Sequence, residues 1–89
     1  MANYNEETLT GYFSKVLFKK LKDTIRGELH VHVYGGTLIV DIYATNGIVY
    51  RYTRDNVSVE LCEGTTVDWY VSDIVRSYRK FLNRTFFQK

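Results

Sequence analysis

Leu29-His30-Val31-His32-Val33-Tyr34-Gly35-Gly36-Thr37-Leu38-Ile39-Val40-Asp41-Ile42-Tyr43 is the stretch that decides the fold. Its first half alternates apolar and polar residues with period two, the repeat of a half-buried strand. Gly35-Gly36 is a two-residue hairpin signal. With Tyr34 opposite Thr37, Val33 faces Leu38, Val31 faces Val40 and Leu29 faces Ile42. All the apolar partners then share one face, and a slip of one residue would turn the apolar set of one strand to the other side.

The next turn contains Asn46-Gly47. A two-residue turn places Ile42 opposite Arg51 and mixes the faces. A three-residue loop, Thr45-Asn46-Gly47, pairs Ile42 with Tyr50 and Val40 with Tyr52, and puts Gly47 where a G1 bulge needs positive φ. Ile48-Val49-Tyr50-Arg51-Tyr52-Thr53 is then a third strand. Past Arg54-Asp55, the segment Val57-Ser58-Val59-Glu60-Leu61-Cys62 alternates like a fourth, with Val57, Val59 and Leu61 inward.

Helical patterns flank this meander. Leu9, Phe13, Val16, Leu17, Leu21 and Ile25 define one face of a helix expected from Asn5, a suitable N-cap, to Gly27. Lys15, Lys19, Lys22 and Arg26 stack as a basic stripe on the opposite side. After Glu63-Gly64, Thr65 with Asp68 resembles a capping box. From Val67 to Phe87 the residues Val67, Tyr70, Val71, Ile74, Val75, Tyr78, Phe81, Leu82 and Phe86 recur at helical spacing. The predicted order is α-β-β-β-β-α: an α+β two-layer sandwich in which both helices cover one face of an antiparallel meander.

The chain has 89 residues, which sets a single domain over 1–89, and its hydrophobic share of 45% supports a small core. Aromatic residues at 16% enlarge what each buried position removes from water. A net charge of +2 permits contact with nucleic acid or an anionic surface without demanding it. One Cys rules out an intrachain disulfide, and with no signal-like apolar segment at residues 1–7 it reads as intracellular. No run approaches the roughly 20 apolar residues of a membrane helix. A cytoplasmic protein without membrane contact is the expectation.

The open face of the sheet collects His30, His32, Ile39, Asp41, Tyr43 and Arg51. One row across it is predicted to read His30, Asp41, Arg51, Ser58, and another Tyr43, Val49, Glu60. A triad needs base and nucleophile within hydrogen-bond reach and an oxyanion site. Arg51 separates Asp41 from Ser58, and Ser58 has no nucleophile elbow. A polar cross-strand ladder, with Asp41 shared between His30 and Arg51, accounts for the row. Each such pair gives about 0.2–1 kcal/mol. His30 and His32 with a nearby Asp41 or Glu60 could together hold a metal, but spacing fixes no third ligand, so neither a metal nor any other cofactor is expected. Cys62 has no C-x-x-C partner and reads as a partly packed, inert thiol. Phosphate-loop motifs are absent. An RNA-binding sheet would expose aromatics on central strands, whereas Tyr34 and Tyr43 fall near opposite edges.

The outer face of the last helix is the sharper signal. Trp69 and Phe87 share it with Arg76, Lys80 and Asn83, and Arg79 and Arg84 extend the basic surface. Tryptophan with arginine is the composition of interface hot spots, and exposed aromatic patches mark partner surfaces. The same residues suit phosphate contact with base stacking. The open sheet face, with Tyr34, Ile39, Tyr43 and Val49, is apolar enough for two copies to pair through it.

The segment Val71-Ser72-Asp73-Ile74-Val75-Arg76-Ser77-Tyr78-Arg79-Lys80-Phe81-Leu82, running to Phe86-Phe87-Gln88-Lys89, resembles the C-terminal helix of small accessory proteins of phages and prophages of Gram-positive bacteria. The resemblance implies a non-enzymatic α+β binding protein with a host or phage protein as partner. Some proteins of that kind inhibit host defence nucleases through protein surfaces. Those that imitate DNA are strongly acidic, and this chain is slightly basic. The expected function is therefore protein binding through the last helix, with a homodimer open. Weak nucleic-acid binding through the two basic stripes is the alternative, and a metal protein or enzyme at His30, His32 and Asp41 a further one.

Overall fold

The structure is a computed structural model that describes residues 6–86, with side chains described for 11–84. Asn5 and Phe87, and the side chains of Leu9 and Phe86, lie outside the described residues. Helix α1 (Glu6–Thr24) leads into strands β1 (Glu28–Tyr34), β2 (Thr37–Tyr43) and β3 (Val49–Arg54). A short helix α2 (Val57–Cys62) and a long helix α3 (Val67–Phe86) follow. The strands form one antiparallel sheet in the order β1-β2-β3.

The register is the one that the apolar pattern dictates. Tyr34 pairs with Thr37, Val33 with Leu38, Val31 with Val40 and Leu29 with Ile42. Ile42 pairs with Tyr50 and Val40 with Tyr52. Gly35 and Gly36 take φ of 53° and 82°, the two positive values that a tight hairpin of matching twist requires. Between β2 and β3 the Ala44 N–H donates to the Ile48 carbonyl at 2.9 Å. The loop is therefore Thr45-Asn46-Gly47, with Gly47 at φ 89°.

Helix α1 ends at Thr24, three residues before the expected Gly27. Gly27 instead makes the entry to β1. It has φ 122°, and a Cβ there would stand 2.4 Å from the Tyr43 carbonyl oxygen. Glycine is required because the chain turns sharply while another backbone strand passes against it.

Phe13, Leu17, Leu21 and Ile25 from α1 form one buried cluster with Tyr70, Ile74 and Tyr78 from α3. The sheet contributes Leu29, Leu38, Val40, Ile42 and Tyr52 to the same cluster. Both long helices thus cover the apolar sheet face, and the α+β class stands. Leu17, Leu21, Leu38, Val40, Ile42, Val57, Tyr70 and Ile74 are wholly shielded. Truncating a large aliphatic side chain at such a site costs about 2–5 kcal/mol.

The expected fourth strand is the correction. Val57–Cys62 is helical, so the sheet has three strands and the order is α-β-β-β-α-α. Asn56 takes the left-handed conformation (φ 61°, ψ 30°), which breaks the extended run. The Val57 N–H then donates to the Gly36 carbonyl at 2.9 Å, pinning α2 across the first hairpin. Only Val57 of the three expected inward residues is buried; Val59 is exposed and Leu61 half-buried. The six residues satisfy both periods, and the choice falls to what Glu60 can reach from a helix. Cys62, at the end of α2, is exposed rather than partly packed.

Helix α3 starts one residue later than a cap at Thr65 would give. Thr66 Oγ1 accepts the Trp69 N–H at 3.3 Å, and the Thr66 carbonyl accepts the first helical bonds. Asp68 pairs with Lys20 Nζ at 2.6 Å, across to α1, in place of the expected capping box.

Candidate functional site

Two surfaces carry the expected site residues. On the open sheet face, the row His30, Asp41, Arg51 is formed by the register of three adjacent strands. Ser58 and Glu60 do not join this face. Ser58 is buried in α2, and Glu60 faces the junction of β3, α2 and α3.

Arg51 meets Asp41 with both prongs of its guanidinium, Nε to Oδ1 at 2.7 Å and Nη2 to Oδ2 at 3.0 Å. Asp41 is only 7% exposed, although no helix or strand among the described residues covers that face. The hydrogen bonds from Arg51 hold its carboxyl below the usual range against the opposing cost of burial, and His30 and His32 add a smaller pull in the same direction. His30 Nε2 lies 2.6 Å from Glu28 Oε2. Asp41 is thus committed to Arg51 and His30 to Glu28. No group of three His, Cys, Asp or Glu side chains among the described residues is placed to hold a metal ion.

Along β1 the rings of Tyr34, His32 and His30 stack at 5.7 and 6.3 Å, and Tyr43 meets His30 edge-on at 5.4 Å. Ile39 is half-buried, whereas Tyr34, Tyr43 and Val49 are exposed. The ladder lies along an edge strand and is built from side chains that pack on one another.

The second surface is the outer side of α3. Trp69, Arg76, Lys80 and Asn83 are all exposed there, Trp69 at 41%. Trp69 is not a free ring. The Arg54 guanidinium lies over it at 4.5 Å, and its edge contacts Tyr70 with ring centres 5.2 Å apart. Arg54 in turn grips Glu60, with Nη2 to Oε2 at 2.6 Å, and the buried Tyr70 hydroxyl donates to Glu60 Oε1 at 2.6 Å. Both bonds keep the Glu60 carboxyl below its ordinary range, that from Arg54 acting most strongly.

A parallel arrangement lies one turn further along α3. The Tyr52 hydroxyl donates to Asp73 Oδ2 at 2.6 Å, and Arg76 pairs with Asp73 Oδ1. The Asp73 carboxyl is lowered, first by Tyr52 and then by Arg76. Burial, reinforced by the carboxylate partner, raises the Tyr52 and Tyr70 hydroxyls.

Beside this face α3 borders a groove. One depression of about 480 Å³ lies against Thr24 at the end of α1, between Val71 and Asn83. A second, of about 320 Å³, continues toward the β2–β3 loop and shares Thr24, Val75 and Arg79 with the first. Of the expected basic stripe, Lys15, Lys19 and Lys22 are exposed on α1, and Arg26 is exposed just beyond its end. Lys22 lies over the Phe18 ring at 5.6 Å, and Arg26 also lines the second depression.

Three features were not read from the sequence: the Arg54–Glu60–Tyr70 cluster, the Tyr52–Asp73 bond and the groove. The strand pattern puts Arg54 in a turn and Glu60 on the open face. A local signal does exist for the first of them. With Val57–Cys62 read as a helix, Glu60 and Leu61 fall on the side of Val57.

No helix among the described residues is long and apolar enough to cross a membrane. No protein-family model, no curated protein and no solved structure matches the chain.

Proposed function

We infer that this chain is a non-enzymatic binding protein, of the phage and prophage accessory type that its last helix resembles, acting through protein–protein contact of α3. The observation that carries this reading is the state of Trp69. It is exposed at 41%, yet held in place by Arg54 on its face and Tyr70 at its edge. An exposed aromatic with a fixed orientation has little freedom left to lose on binding, which favours it as an interface anchor. Arg76, Lys80 and Asn83, about two to four turns further along the same face of α3, extend it with exposed polar groups suited to a rim. The partner is a host or phage protein.

The test is capture by immobilised protein from a lysate of cells encoding it, against a variant carrying Trp69→Ala and Phe87→Ala. Far-UV circular dichroism and a melting curve check that the variant folds. A protein retained by the natural chain and lost by the folded variant supports the reading. Identical capture by both, or none by either, sinks it.

A second reading, weak nucleic-acid binding, draws on the exposed Lys15, Lys19, Lys22 and Arg26 stripe. It requires an affinity that falls steeply as salt rises, because bound cations displace counterions from phosphates. Pairing of two copies through the open sheet face draws on the exposure of Tyr34, Tyr43 and Val49. A mass that stays that of one chain in light scattering at high concentration removes it.

A further inference from the structure

We propose that the groove between α3, the end of α1 and the β2–β3 loop seats a short acidic amphipathic segment of the protein partner. The proposal rests on the protein-binding reading above and names the chemistry of what is bound. The groove has an apolar floor of half-buried Val71, Val75 and Leu82, each already packed against the core on its other side. Its rim carries Arg26, Arg76, Arg79 and Lys80, and no carboxylate lines either depression. Arg76 is paired with Asp73, whereas Arg26, Arg79 and Lys80 show no ion pair among the described residues.

The distribution of charge sharpens the argument. Four cations line the groove while the whole chain carries only +2, so the rest of the chain is net negative. A short acidic segment confined to the groove meets the cations alone. The floor is mainly aliphatic, which accepts branched apolar side chains, and the one ring that lines it, Tyr78, is only 8% exposed and presents little face for a base to stack on. From Val71 to Asn83 the groove follows α3 for about 18 Å, at about 1.5 Å per residue, which matches a helical segment of about 12 residues. Glutamates on such a segment reach the rim while its leucines cover Val71, Val75 and Leu82. That is the groove-and-anchor mode of helix recognition.

The experiment uses four labelled probes on the full chain. They are a Glu/Leu peptide of about 12 residues with leucines at helical spacing, the same peptide with Lys for Glu, an oligoglutamate of equal length, and an oligothymidylate of equal length. Fluorescence anisotropy gives affinity, and amide shifts in a nitrogen–proton correlation spectrum give location. The expected result is binding of the Glu/Leu peptide alone, with shifts at Val75, Arg79, Lys80 and Ala44. The exposed pair Arg79→Glu and Lys80→Glu should weaken it by about tenfold or more, as reversing paired interface charges does. Equal binding of oligoglutamate makes the floor irrelevant and overturns the proposal. Preferential binding of oligothymidylate at those amides assigns the groove to nucleic acid instead, and no binding of the Glu/Leu peptide also overturns it.

The Arg79→Glu, Lys80→Glu variant in the capture assay separates the two levels. Partner capture that survives it, yet fails with Trp69→Ala and Phe87→Ala, removes the groove and leaves the protein-binding reading. Capture that survives both variants removes both.

Discussion

Arg51 and Arg54 stand on the same strand, and each forms a two-pronged pair with a carboxylate, yet the two pairs serve different ends. Arg51 points to the open sheet face and meets Asp41 on the neighbouring strand. Its side chain is 64% exposed, and the pair joins two residues that the register already places opposite each other. Arg54 is on the other side of the strand and meets Glu60 in α2. Glu60 also accepts the hydroxyl of the fully shielded Tyr70, and Arg54 covers Trp69. The first pair decorates a contact that backbone hydrogen bonds have made. The second joins β3, α2 and α3, which no backbone ladder connects. Identical chemistry is worth more where it is the link between elements and where one partner cannot turn to water.

The difference can be broken most forcefully at Glu60. Glu60→Ala leaves the buried Tyr70 hydroxyl and the half-buried Arg54 without their acceptor. An unsatisfied buried hydroxyl alone costs about 1–3 kcal/mol. The expected loss in urea unfolding is about 2–3 kcal/mol, with a weakened α2. A loss below that of Arg51→Ala would refute the contrast drawn between the two pairs.

Acid gives the next largest effect. Asp41, Glu60 and Asp73 all have carboxyls lowered in the folded state. The folded chain therefore binds these protons less readily than the unfolded one. Their contribution is complete above the unfolded carboxylate values of about 4 and is lost as pH falls through the lower folded values. Unfolding free energy should stay level near neutrality and drop below about pH 4. Glu60→Gln should make that drop shallower, because one of the three linked protons is gone. An unchanged acid limb would show that Glu60 is not held as the geometry requires.

The smallest effect is expected at Arg51→Ala. The pair is open to water on the arginine side, and exposed pairs are worth about 0.2–1 kcal/mol. Asp41 then loses the main cause of its lowered carboxyl, so its titration, followed by carbon NMR, should move upward. A double-mutant cycle for each pair gives the direct comparison, with the larger coupling expected for Arg54 and Glu60.

The legible part of the molecule was the part whose code is local. Leu29, Val31 and Val33 against Ile42, Val40 and Leu38 specify register because a one-residue slip would turn the three of one strand away from the core. Gly47 specified its loop because only one loop length kept the faces matched. In the candidate site, Arg76, Lys80 and Asn83 were found where the helical period put them. Trp69 was on the expected face, but its fixed orientation was not legible. It comes from Arg54, which precedes it by fifteen residues and reaches it only once α2 has folded.

The amino-acid sequence alone therefore determined the α+β class, the registers of three strands, the buried faces of the two long helices and the exposed basic stripes. Periodicity and turn chemistry act between near neighbours and leave those features one consistent answer. The tertiary structure decided that Val57–Cys62 is helix rather than strand, that Ser58 and Glu60 leave the open face, and that a basic groove with an apolar floor runs beside α3. Those six residues satisfy either period, and a left-handed Asn56 costs free energy on its own. What offsets that cost is the meeting of Glu60 with Arg54 and Tyr70, contacts that exist only when β3, α2 and α3 are assembled.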